Sequence, residues 1–262
     1  MIGIFDSGVG GLTVVKEIFK YLPNYQIIYF GDSARLPYGT RGAGFVRKYS
    51  GKITNWLLNK NAKIIIVACN TASSLAADSL KERFKGIPIF EMINPAVEGA
   101  IAATKNNKIG IIGTRGTINS GVYQRKFFEA NPSVKIFSQP CPLLVPLVEE
   151  GMLDDSVTIE ILKRYINPLK EKGIDTLVLA CTHYPLLKKI IEETIDSGIK
   201  VVNPAEILAG QVKKYIEENK IKMKKGSGHK FFFSDEPYNL EKISHLCFNK
   251  KITPIVKDPF NV

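Results

Sequence analysis

The amino-acid sequence predicts an α/β protein with mostly parallel sheets flanked by helices, divided into two domains. Short apolar runs alternate with longer amphipathic stretches from end to end, which is the pattern of βα units. Two of these runs end in the same Ala-Cys-polar frame, at Cys69 and at Cys181. Asn-Pro pairs at 94–95 and 203–204 each follow a short apolar run. If these pairs mark crossovers and not simply helix starts, the domains are 1–95 plus 206–262, and 96–205.

Each predicted strand is a short apolar run bounded by polar or turn-forming residues. These runs lie at 2–5, 26–31, 62–68, 87–91, 108–113, 134–137, 175–180, 199–202 and 230–233. Helices fill most of the intervals, as at 14–21, where apolar residues recur at helical spacing on one face. The other predicted helices cover 43–60, 72–85, 96–105, 118–130, 156–172, 184–196 and 205–219. The segment 220–229, which is rich in lysine and glycine, is predicted to be an exposed loop.

Composition favours a reduced cytoplasmic enzyme. The 36 Lys+Arg residues against 25 Asp+Glu give a net charge of +11, but the only tight lysine cluster lies at 220–225. No nucleic-acid-binding motif accompanies it, so we expect no nucleic-acid partner, and the basic surface can instead speed the approach of an anionic substrate. The N-terminus lacks a signal-peptide pattern and the apolar runs are too short to cross a bilayer, so we expect no membrane association. The four cysteines predict no disulfide framework.

A glycine-rich turn follows the first predicted strand, at residues 5–11 with the sequence Phe-Asp-Ser-Gly-Val-Gly-Gly. It is not a dinucleotide fingerprint, because Thr13 stands where the third glycine is required, and no Walker lysine follows. The turn is either a tight strand-to-helix connection or part of a site. Asp6 lies close to the buried strand, where a charge is costly unless it is paired or functional, so we interpret Asp6 and Ser7 as site residues.

The loop after the second predicted strand, residues 30–40, combines residue types that often build binding sites. Asp32 and Arg35 in this loop either form a simple ion pair or serve a site. Pro37, Tyr38 and Gly39 present backbone amides and a phenol, which suit a carboxylate ligand. Together with the other candidate loops, this loop indicates a binding site at the ends of the strands.

The two repeated frames place Cys69 and Cys181 where a strand ends and a helix begins. The thiolate is the reactive form of cysteine, and the partial positive charge of a helix N-terminus favours it. The polar neighbours that follow the two cysteines are Asn70, Thr71, Thr182 and His183. A single buried cysteine is usually inert, but two in one repeated frame indicate paired thiols acting on one substrate atom from opposite sides. Cys141 and Cys247 lack the frame, and we interpret both as structural.

Metal and cysteine-hydrolase chemistry explain these features less well. The chain has three histidines and no Cys-x-x-Cys pair, so we predict no metal site. A cysteine hydrolase needs one thiol with a histidine base and leaves the second frame unexplained. We interpret His183 as a proton-handling or hydrogen-bonding neighbour of Cys181. Glu149 ends an apolar run and is either a solvated carboxylate at a helix end or a site residue.

These motifs together resemble those of the bacterial glutamate racemases, within the aspartate/glutamate racemase superfamily. The resemblance runs in order from residue 2 to about residue 210. The segments that carry it are 6–11, 31–35, 37–39, 68–72 and 181–183. Further similar positions are Gly113, Thr114, Thr117, Tyr123 and the segment 146–151.

The resemblance implies two pseudo-symmetric domains with the active site in the cleft between them. It implies interconversion of L- and D-glutamate without a cofactor, which supplies D-glutamate for peptidoglycan, and it implies a homodimer. The implied catalytic set is Cys69 and Cys181 as the two acid/base residues, with Asp6, His183 and Glu149. The implied substrate-binding set is Asp6, Ser7, Pro37, Tyr38, Gly39, Asn70, Thr71, Thr114, Thr117, Thr182 and His183.

Inversion at Cα requires one thiolate to remove the proton from one face and the other thiol to deliver a proton to the opposite face. The carbanion must then be stabilised by fixed donors in a water-poor cleft. The alternative is a racemase or decarboxylase of the wider superfamily that acts on aspartate or another small acid. Decarboxylation needs only one thiol, so the pair of thiols argues against a decarboxylase. Aspartate is harder to exclude as the substrate, because one methylene changes the binding free energy by only about 1–3 kcal/mol. A nucleotide-dependent oxidoreductase would need the glycine fingerprint that Thr13 breaks, and a non-catalytic regulator leaves both thiols unexplained.

Overall fold

The computed structural model describes residues 1–195, 197–223 and 225–260, and it confirms the predicted α/β class. The strands are β1 (Ile2–Asp6), β2 (Ile27–Gly31), β3 (Ile64–Val67), β4 (Ile89–Glu91), β5 (Lys108–Gly113), β6 (Lys135–Pro140), β7 (Thr176–Ala180), β8 (Lys200–Val202), β9 (Lys230–Phe233) and β10 (Pro254–Val256). The helices are α1 (Leu12–Tyr21), α2 (Ala43–Asn59), α3 (Asn70–Arg83), α4 (Ile93–Ala103), α5 (Arg115–Asn119), α6 (Val122–Ala130), α7 (Leu144–Glu150), α8 (Ser156–Lys170), α9 (Lys188–Thr194), α10 (Pro204–Glu218) and α11 (Leu240–Phe248). Short 3-10 turns cover Ser33–Arg35, Tyr38–Thr40 and Tyr184–Leu187.

The described strands pair in parallel and form two sheets. The larger sheet has six strands in the order β10-β9-β2-β1-β3-β4, and the smaller has four in the order β6-β5-β7-β8. The residues of β1, β2, β3 and β7 are buried along their whole length. Parallel strands covered by helices on both faces are expected to be apolar without alternation, which explains why these runs are legible in the sequence.

The carboxyl ends of the central strands carry the candidate site residues. β1 ends at Asp6, and β3 is followed by Ala68 and Cys69. In the smaller sheet, β5 is followed by Thr114 and β7 by Cys181. Ligands bind at the carboxyl ends of the strands in open parallel sheets, so both sheets present their usual ligand-binding edge.

One apolar cluster connects the two sheets through the helices between them. It includes Val14 and Ile18 of α1, Leu208 of α10 and Leu179 of β7, all at most 1% exposed. Continuous packing of this kind holds the two ligand-binding edges in one arrangement. Within the described part of the chain, no helix combines the length and the apolar character that a membrane span requires.

The C-terminal segment returns to the larger sheet. β9 pairs with β2, and β10 extends the same sheet beyond β9. α11, between these two strands, packs against α1. The segment therefore lies beside the loop that follows β2, which is one of the candidate site loops.

Several helix predictions are corrected. The helix predicted at 118–130 is two helices, α5 and α6, because Gly121 adopts a left-handed φ of 67° between them. The helix predicted at 184–196 begins as a 3-10 turn and continues as α9 to Thr194, and residue 196 lies outside the described residues. Asn94 and Pro95 lie in the first turn of α4, not in a crossover before it. α7 and β10 are additional elements.

The predicted exposed loop at 220–229 is described except for residue 224. Tyr25 and Lys225 form an isolated antiparallel bridge, which ties this loop to the turn before β2.

Candidate active site

Residues from both sheets converge on one small cavity of about 40 Å³. Cys69 lines it from the larger sheet and Cys181 from the smaller sheet. Each of these residues is 6% exposed. The structure therefore brings the two repeated frames to the same cavity, one from each sheet.

Cys69 occupies the N-cap position of α3, as the strand-to-helix frame predicts. Its Sγ accepts a hydrogen bond from the backbone N–H of Ala72 at 3.5 Å and donates one to the hydroxyl of Ser7 at 3.8 Å. Burial, and after it the negative charge of Asp6, raises the pKa of the Cys69 thiol to about 12. The expectation that the helix N-terminus gives Cys69 a lowered pKa is therefore wrong, because desolvation raises the pKa by more than the hydrogen bond from the helix amide lowers it. Cys69 is therefore a protonated thiol at neutral pH.

An imidazole–carboxylate pair lies beside Cys181. The Nδ1 atom of His183 is 3.9 Å from Cys181 Sγ, and its Nε2 atom is 2.9 Å from Glu149 Oε1. Burial lowers the pKa of His183, but hydrogen bonds with Cys181 and Glu149 outweigh this effect and raise it to about 10. His183 is therefore an imidazolium at neutral pH, and its positive charge lies beside the Cys181 sulfur. Glu149 is a partner of His183, not a solvated helix end.

Asp6 is fully buried where the two sheets meet. Its Oδ1 accepts a hydrogen bond from the Thr182 hydroxyl at 3.3 Å, and its Oδ2 accepts one from the Gly8 N–H at 3.0 Å. Burial raises the pKa of this carboxyl, and the charge of His183 together with these hydrogen bonds lowers it in part. The Thr13 hydroxyl also donates to the Thr182 carbonyl at 2.8 Å. The end of β1 and the start of α1 therefore hold the segment that follows β7.

Close approach explains the glycines of the turn after β1. A Cβ atom at Gly10 would lie 2.5 Å from the imidazole of His183 and 2.5 Å from Thr182 Oγ1. A Cβ atom at Gly11 would lie 2.5 Å from Asp6 Cβ. The turn is a tight connection that brings its backbone directly against the segment beside Cys181.

The loop after β2 forms another wall of the cavity, lined by Pro37, Tyr38 and Gly39. The Tyr38 hydroxyl donates to Asp32 Oδ2 at 2.6 Å, and Arg35 donates to Asp32 Oδ1 at 2.7 Å. Burial, followed by the charge of Asp32, raises the pKa of Tyr38 well above its usual value, so it remains a phenol. The ion pair in this loop therefore also positions a cavity residue.

Polar side chains at the start of α3 face the cavity. The Asn70 Oδ1 atom accepts a hydrogen bond from the Tyr123 hydroxyl at 2.9 Å, while its Nδ2 atom is buried without a partner among the described residues. A buried donor without a hydrogen-bond partner costs about 1–3 kcal/mol of folding free energy. An anionic group of a ligand could accept a hydrogen bond from this Nδ2 atom and remove that cost. The hydroxyls of Thr71, Thr114 and Thr117 lie within 3.2 Å of one another and join α3 to α5.

A larger pocket of about 310 Å³ opens beside the cavity, and we call it the vestibule. Five predicted site residues line both spaces: Ser7, Pro37, Gly39, Thr114 and His183. Leu36, Arg115 and Pro146 add to the wall of the vestibule. The cavity holds about three water-sized spheres. A small organic acid therefore also needs part of the vestibule, or the loop after β2 must move slightly away from α5.

Most of the predicted site residues line the cavity itself. The exceptions are Asp6 and Thr117, which are fully buried behind its wall, and Glu149, which lines the vestibule. Val145 of α7 is a lining residue outside the predicted set. Among the described residues, no group of three or more His, Cys, Asp or Glu side chains is arranged to hold a metal ion.

Three supporting residues also lie outside the predicted set: Thr13, Ser234 and Asn239. Thr13 contacts Thr182, Ser234 contacts Asp32, and the side-chain amide of Asn239 donates to the Glu149 carbonyl. Each pair is separated by 90 or more positions in the chain. No local pattern marks such residues, because their role arises from contacts between distant segments.

The fold and the site define a two-domain α/β enzyme that brings two thiols to one small cavity. Residues 2–212 match the family model described as Asp/Glu/Hydantoin racemase, so the chain belongs to this family. It is an isomerase of the racemase type.

Individual relatives cover almost the whole chain. The glutamate racemase of Geobacter metallireducens is 43% identical over 253 residues, which is 96% of this chain and 93% of that protein. The crystal structure of glutamate racemase isoform RacE1 from Bacillus anthracis superposes with a TM-score of 0.94 at 35% identity, covering 99% and 97% of the two chains. The glutamate racemase of Francisella tularensis in complex with D-glutamate superposes with a TM-score of 0.90 at 34% identity, covering 97% and 96%. The predicted two-domain fold is confirmed by these structures.

Proposed function

We propose that this protein interconverts L- and D-glutamate and that Cys69 and Cys181 transfer the α-proton. One observation carries the proposal: both thiols line a single cavity of about 40 Å³, one from each sheet. The choice of glutamate is supported by relatives named glutamate racemase at 40% identity or more over nearly the whole chain.

The reaction breaks and forms one C–H bond. The thiolate of one cysteine removes the α-proton and becomes a thiol, and the electron pair stays on the substrate as a carbanion. The thiol of the other cysteine then delivers its proton to the opposite face and becomes a thiolate. In one direction Cys181, beside the His183 imidazolium, is the base and Cys69, a thiol at neutral pH, is the acid. The reverse direction exchanges these roles.

Fixed donors stabilise the substrate anion and the carbanion. Asn70, the first residue of the 14-residue helix α3, lines the cavity, and its Nδ2 atom has no partner among the described residues. A donor of this kind at a helix N-terminus suits a carboxylate. Donors that are already oriented and dehydrated stabilise developing charge without the cost of reorganisation. Burial, and after it the charge of Asp6, raises the pKa of Cys69, and the His183 imidazolium lies beside Cys181.

Aspartate remains the alternative substrate, since it differs from glutamate by one methylene. We assign glutamate on the identity of the relatives, because a single methylene contributes only about 1–3 kcal/mol of discrimination. The two acids can be compared directly in one assay.

The test is racemisation in deuterium oxide. Purified protein is incubated with L-glutamate and no added cofactor, while circular dichroism follows optical activity and proton NMR follows the α-proton. We expect both signals to decay as deuterium enters Cα. No decay of either signal contradicts the proposal, and turnover of L-aspartate at an equal or greater rate favours the alternative.

Single-thiol variants test the division of labour. Cys69→Ser and Cys181→Ser should each lose racemisation by about 10²–10⁴-fold, because a positioned acid or base is lost. The remaining thiol reaches only one face, so residual α-proton exchange should be confined to one enantiomer in one variant and to the other enantiomer in the second variant. Cys247→Ser, which changes a buried thiol outside the cavity, is the control. Near-normal turnover in either active-site variant contradicts a two-base mechanism.

The wider role follows from the same proposal. We assign the enzyme to the cytoplasm, where it supplies D-glutamate for peptidoglycan, and we assign it a homodimeric state. These three assignments are proposed by resemblance to the glutamate racemases. We also assign residues 1–95 plus 206–262 to the first domain and 96–205 to the second, and the strand composition of the two sheets supports this division. Light scattering of the purified protein tests the dimer.

A further inference from the structure

The segment that follows β10 reaches the loop after β2 through one buried ion pair. Asp258 Oδ2 lies 2.5 Å from Arg35 Nη2, and the two side chains are 11% and 8% exposed. The other terminal nitrogen of Arg35 donates to Asp32 Oδ1 at 2.7 Å. Arg35 therefore bridges two carboxylates, one from the candidate site loop and one from the end of the chain.

Two aromatic rings also pack against the same guanidinium. The Arg35 Cζ atom lies 4.4 Å from the centre of the Tyr49 ring and 5.6 Å from the centre of the Phe260 ring. Burial lowers the pKa of Arg35, but the hydrogen bonds with Asp258 and Asp32 have the larger effect and raise it above its usual value. The guanidinium is therefore permanently charged. A planar cation held by two carboxylates and two rings has little freedom to turn.

Asp32 continues this contact to the cavity. It is fully buried and accepts hydrogen bonds from Arg35, from the Ser234 hydroxyl at 2.8 Å and from the Tyr38 hydroxyl at 2.6 Å. Tyr38 lines the cavity beside Cys69. A continuous chain of hydrogen bonds therefore runs from the C-terminal segment to the wall of the cavity.

The loop that receives this contact is packed tightly against the smaller sheet. A Cβ atom at Gly39 would lie 2.7 Å from Thr114 Cβ, and a Cβ atom at Gly116 would lie 3.0 Å from the Gly39 carbonyl. A displacement of the loop relative to α5 therefore changes the shape of the cavity.

We propose that Asp258 is a positioning residue for the reaction, holding Arg35 and thereby fixing Asp32, Tyr38 and Gly39 against the cavity. The inference rests on the proposed function for its kinetic consequences. A charge-assisted arginine–carboxylate pair supplies both energy and direction, and catalytic rates are sensitive to misplacements of about 1 Å. The C-terminal segment, although it lies beyond residue 212 where the family match ends, then contributes to the active site through the Asp258 carboxylate.

The kinetic test replaces the carboxylate and then restores it. Asp258→Asn keeps the size of the side chain and removes its charge, and we expect kcat/KM to fall about tenfold, mainly through KM, because a binding wall loosens while both thiols remain. Asp258→Glu should recover part of the loss. Asp154→Asn, at an exposed carboxylate before α8, is the matched control and should be unchanged.

A double-mutant cycle with Tyr38→Phe separates positioning from general stability. If Asp258 acts through Asp32 and the Tyr38 hydroxyl, Asp258→Asn should cost clearly less in the Tyr38→Phe background than in the wild type. A merely structural role would lower the melting temperature and leave kcat/KM at 25 °C unchanged. Unchanged kinetics in Asp258→Asn, or fully additive losses in the cycle, overturn the proposal.

A measurement without substrate distinguishes this proposal from the proposed function. Amide hydrogen exchange, followed by mass spectrometry, should become faster in the peptide covering 32–42 when Asp258 is replaced by Asn, and should stay unchanged in Asp154→Asn. Unchanged exchange in that peptide overturns the positioning role whatever the activity. Inactivity of the wild type on glutamate overturns only the proposed function, since the loosening of the loop is still measured.

Discussion

Replacing Glu149 by Gln removes the charge that faces His183 and keeps the shape of the side chain. In the structure Glu149 Oε1 lies 2.9 Å from His183 Nε2, and His183 is 5% exposed. Burial lowers the His183 pKa, but the hydrogen bonds with Cys181 and Glu149 outweigh burial and raise it to about 10, which favours the imidazolium. A charge-assisted hydrogen bond is worth about 1.5–3 kcal/mol, so Glu149→Gln should lower kcat/KM about ten- to a hundredfold at pH 8.

The sign of the pH dependence follows from burial. Burial alone lowers the pKa of His183, so without the charge of Glu149 this pKa must fall below about 10. The variant loses its imidazolium at a lower pH than the wild type, and the alkaline limb of its kcat/KM profile should move toward neutral pH. The defect should therefore be larger at pH 9 than at pH 6.5.

Circular dichroism measures both directions between pH 5.5 and 9.5. Because the equilibrium constant of a racemisation is one, kcat/KM must fall by the same factor for L- and D-glutamate, which checks the data internally. Glu150→Gln, at the exposed neighbour of Glu149, is the control. An unchanged profile in Glu149→Gln, or an alkaline limb displaced to higher pH, would refute the role assigned to the imidazole–carboxylate pair.

Three further predictions concern the same site. Gly10→Ala places a Cβ atom 2.5 Å from the His183 imidazole and should lower kcat about a hundredfold without changing the circular dichroism of the folded protein. The control is Gly44→Ala, where a Cβ atom meets nothing within 4 Å and kcat should not change. Equal activities of the two variants would show that the imidazole tolerates displacement. Asn70→Asp replaces the unpartnered donor by a charge that repels a carboxylate and should raise KM about tenfold or more, measured from initial rates; an unchanged KM would place the carboxylate elsewhere. Because its pKa is raised, His183 contributes fully to the free energy of unfolding below pH 6.5, and this contribution is lost as pH rises toward 10. Urea unfolding at a series of pH values should show this decline in the wild type and a smaller decline in Glu149→Gln. Parallel stability curves of the two proteins would contradict the prediction.

The strands and the two thiol frames are predictable because their signals are local. The run 64–67 is apolar without alternation because β3 is covered on both faces, and Cys69 directly precedes the first residue of α3. The same holds for β7 and Cys181. Helix boundaries are harder to predict from the sequence. Gly121 divides one predicted helix into two, because a single left-handed residue interrupts the hydrogen-bonding pattern without changing the spacing of the apolar residues.

The partners of the site residues are not predictable in this way. Glu149 is one of two adjacent acids, and nothing in the sequence distinguishes the one that meets His183. The helix N-terminus suggests a lowered pKa for Cys69, whereas burial beside Asp6 raises it to about 12. The balance between these effects depends on the exclusion of water, which only the packed structure determines.

The sequence by itself determines that this protein has parallel sheets with a thiol at the end of a strand in each half, because strand, turn and helix start are set by neighbouring residues. Only the tertiary structure decides that the two thiols share one cavity, that Glu149 faces His183, and that Asp258 reaches Arg35 across 223 positions. Hydrogen bonds and charges in a dry interior act over a few ångströms, so their pattern follows the folded path of the chain and not its order.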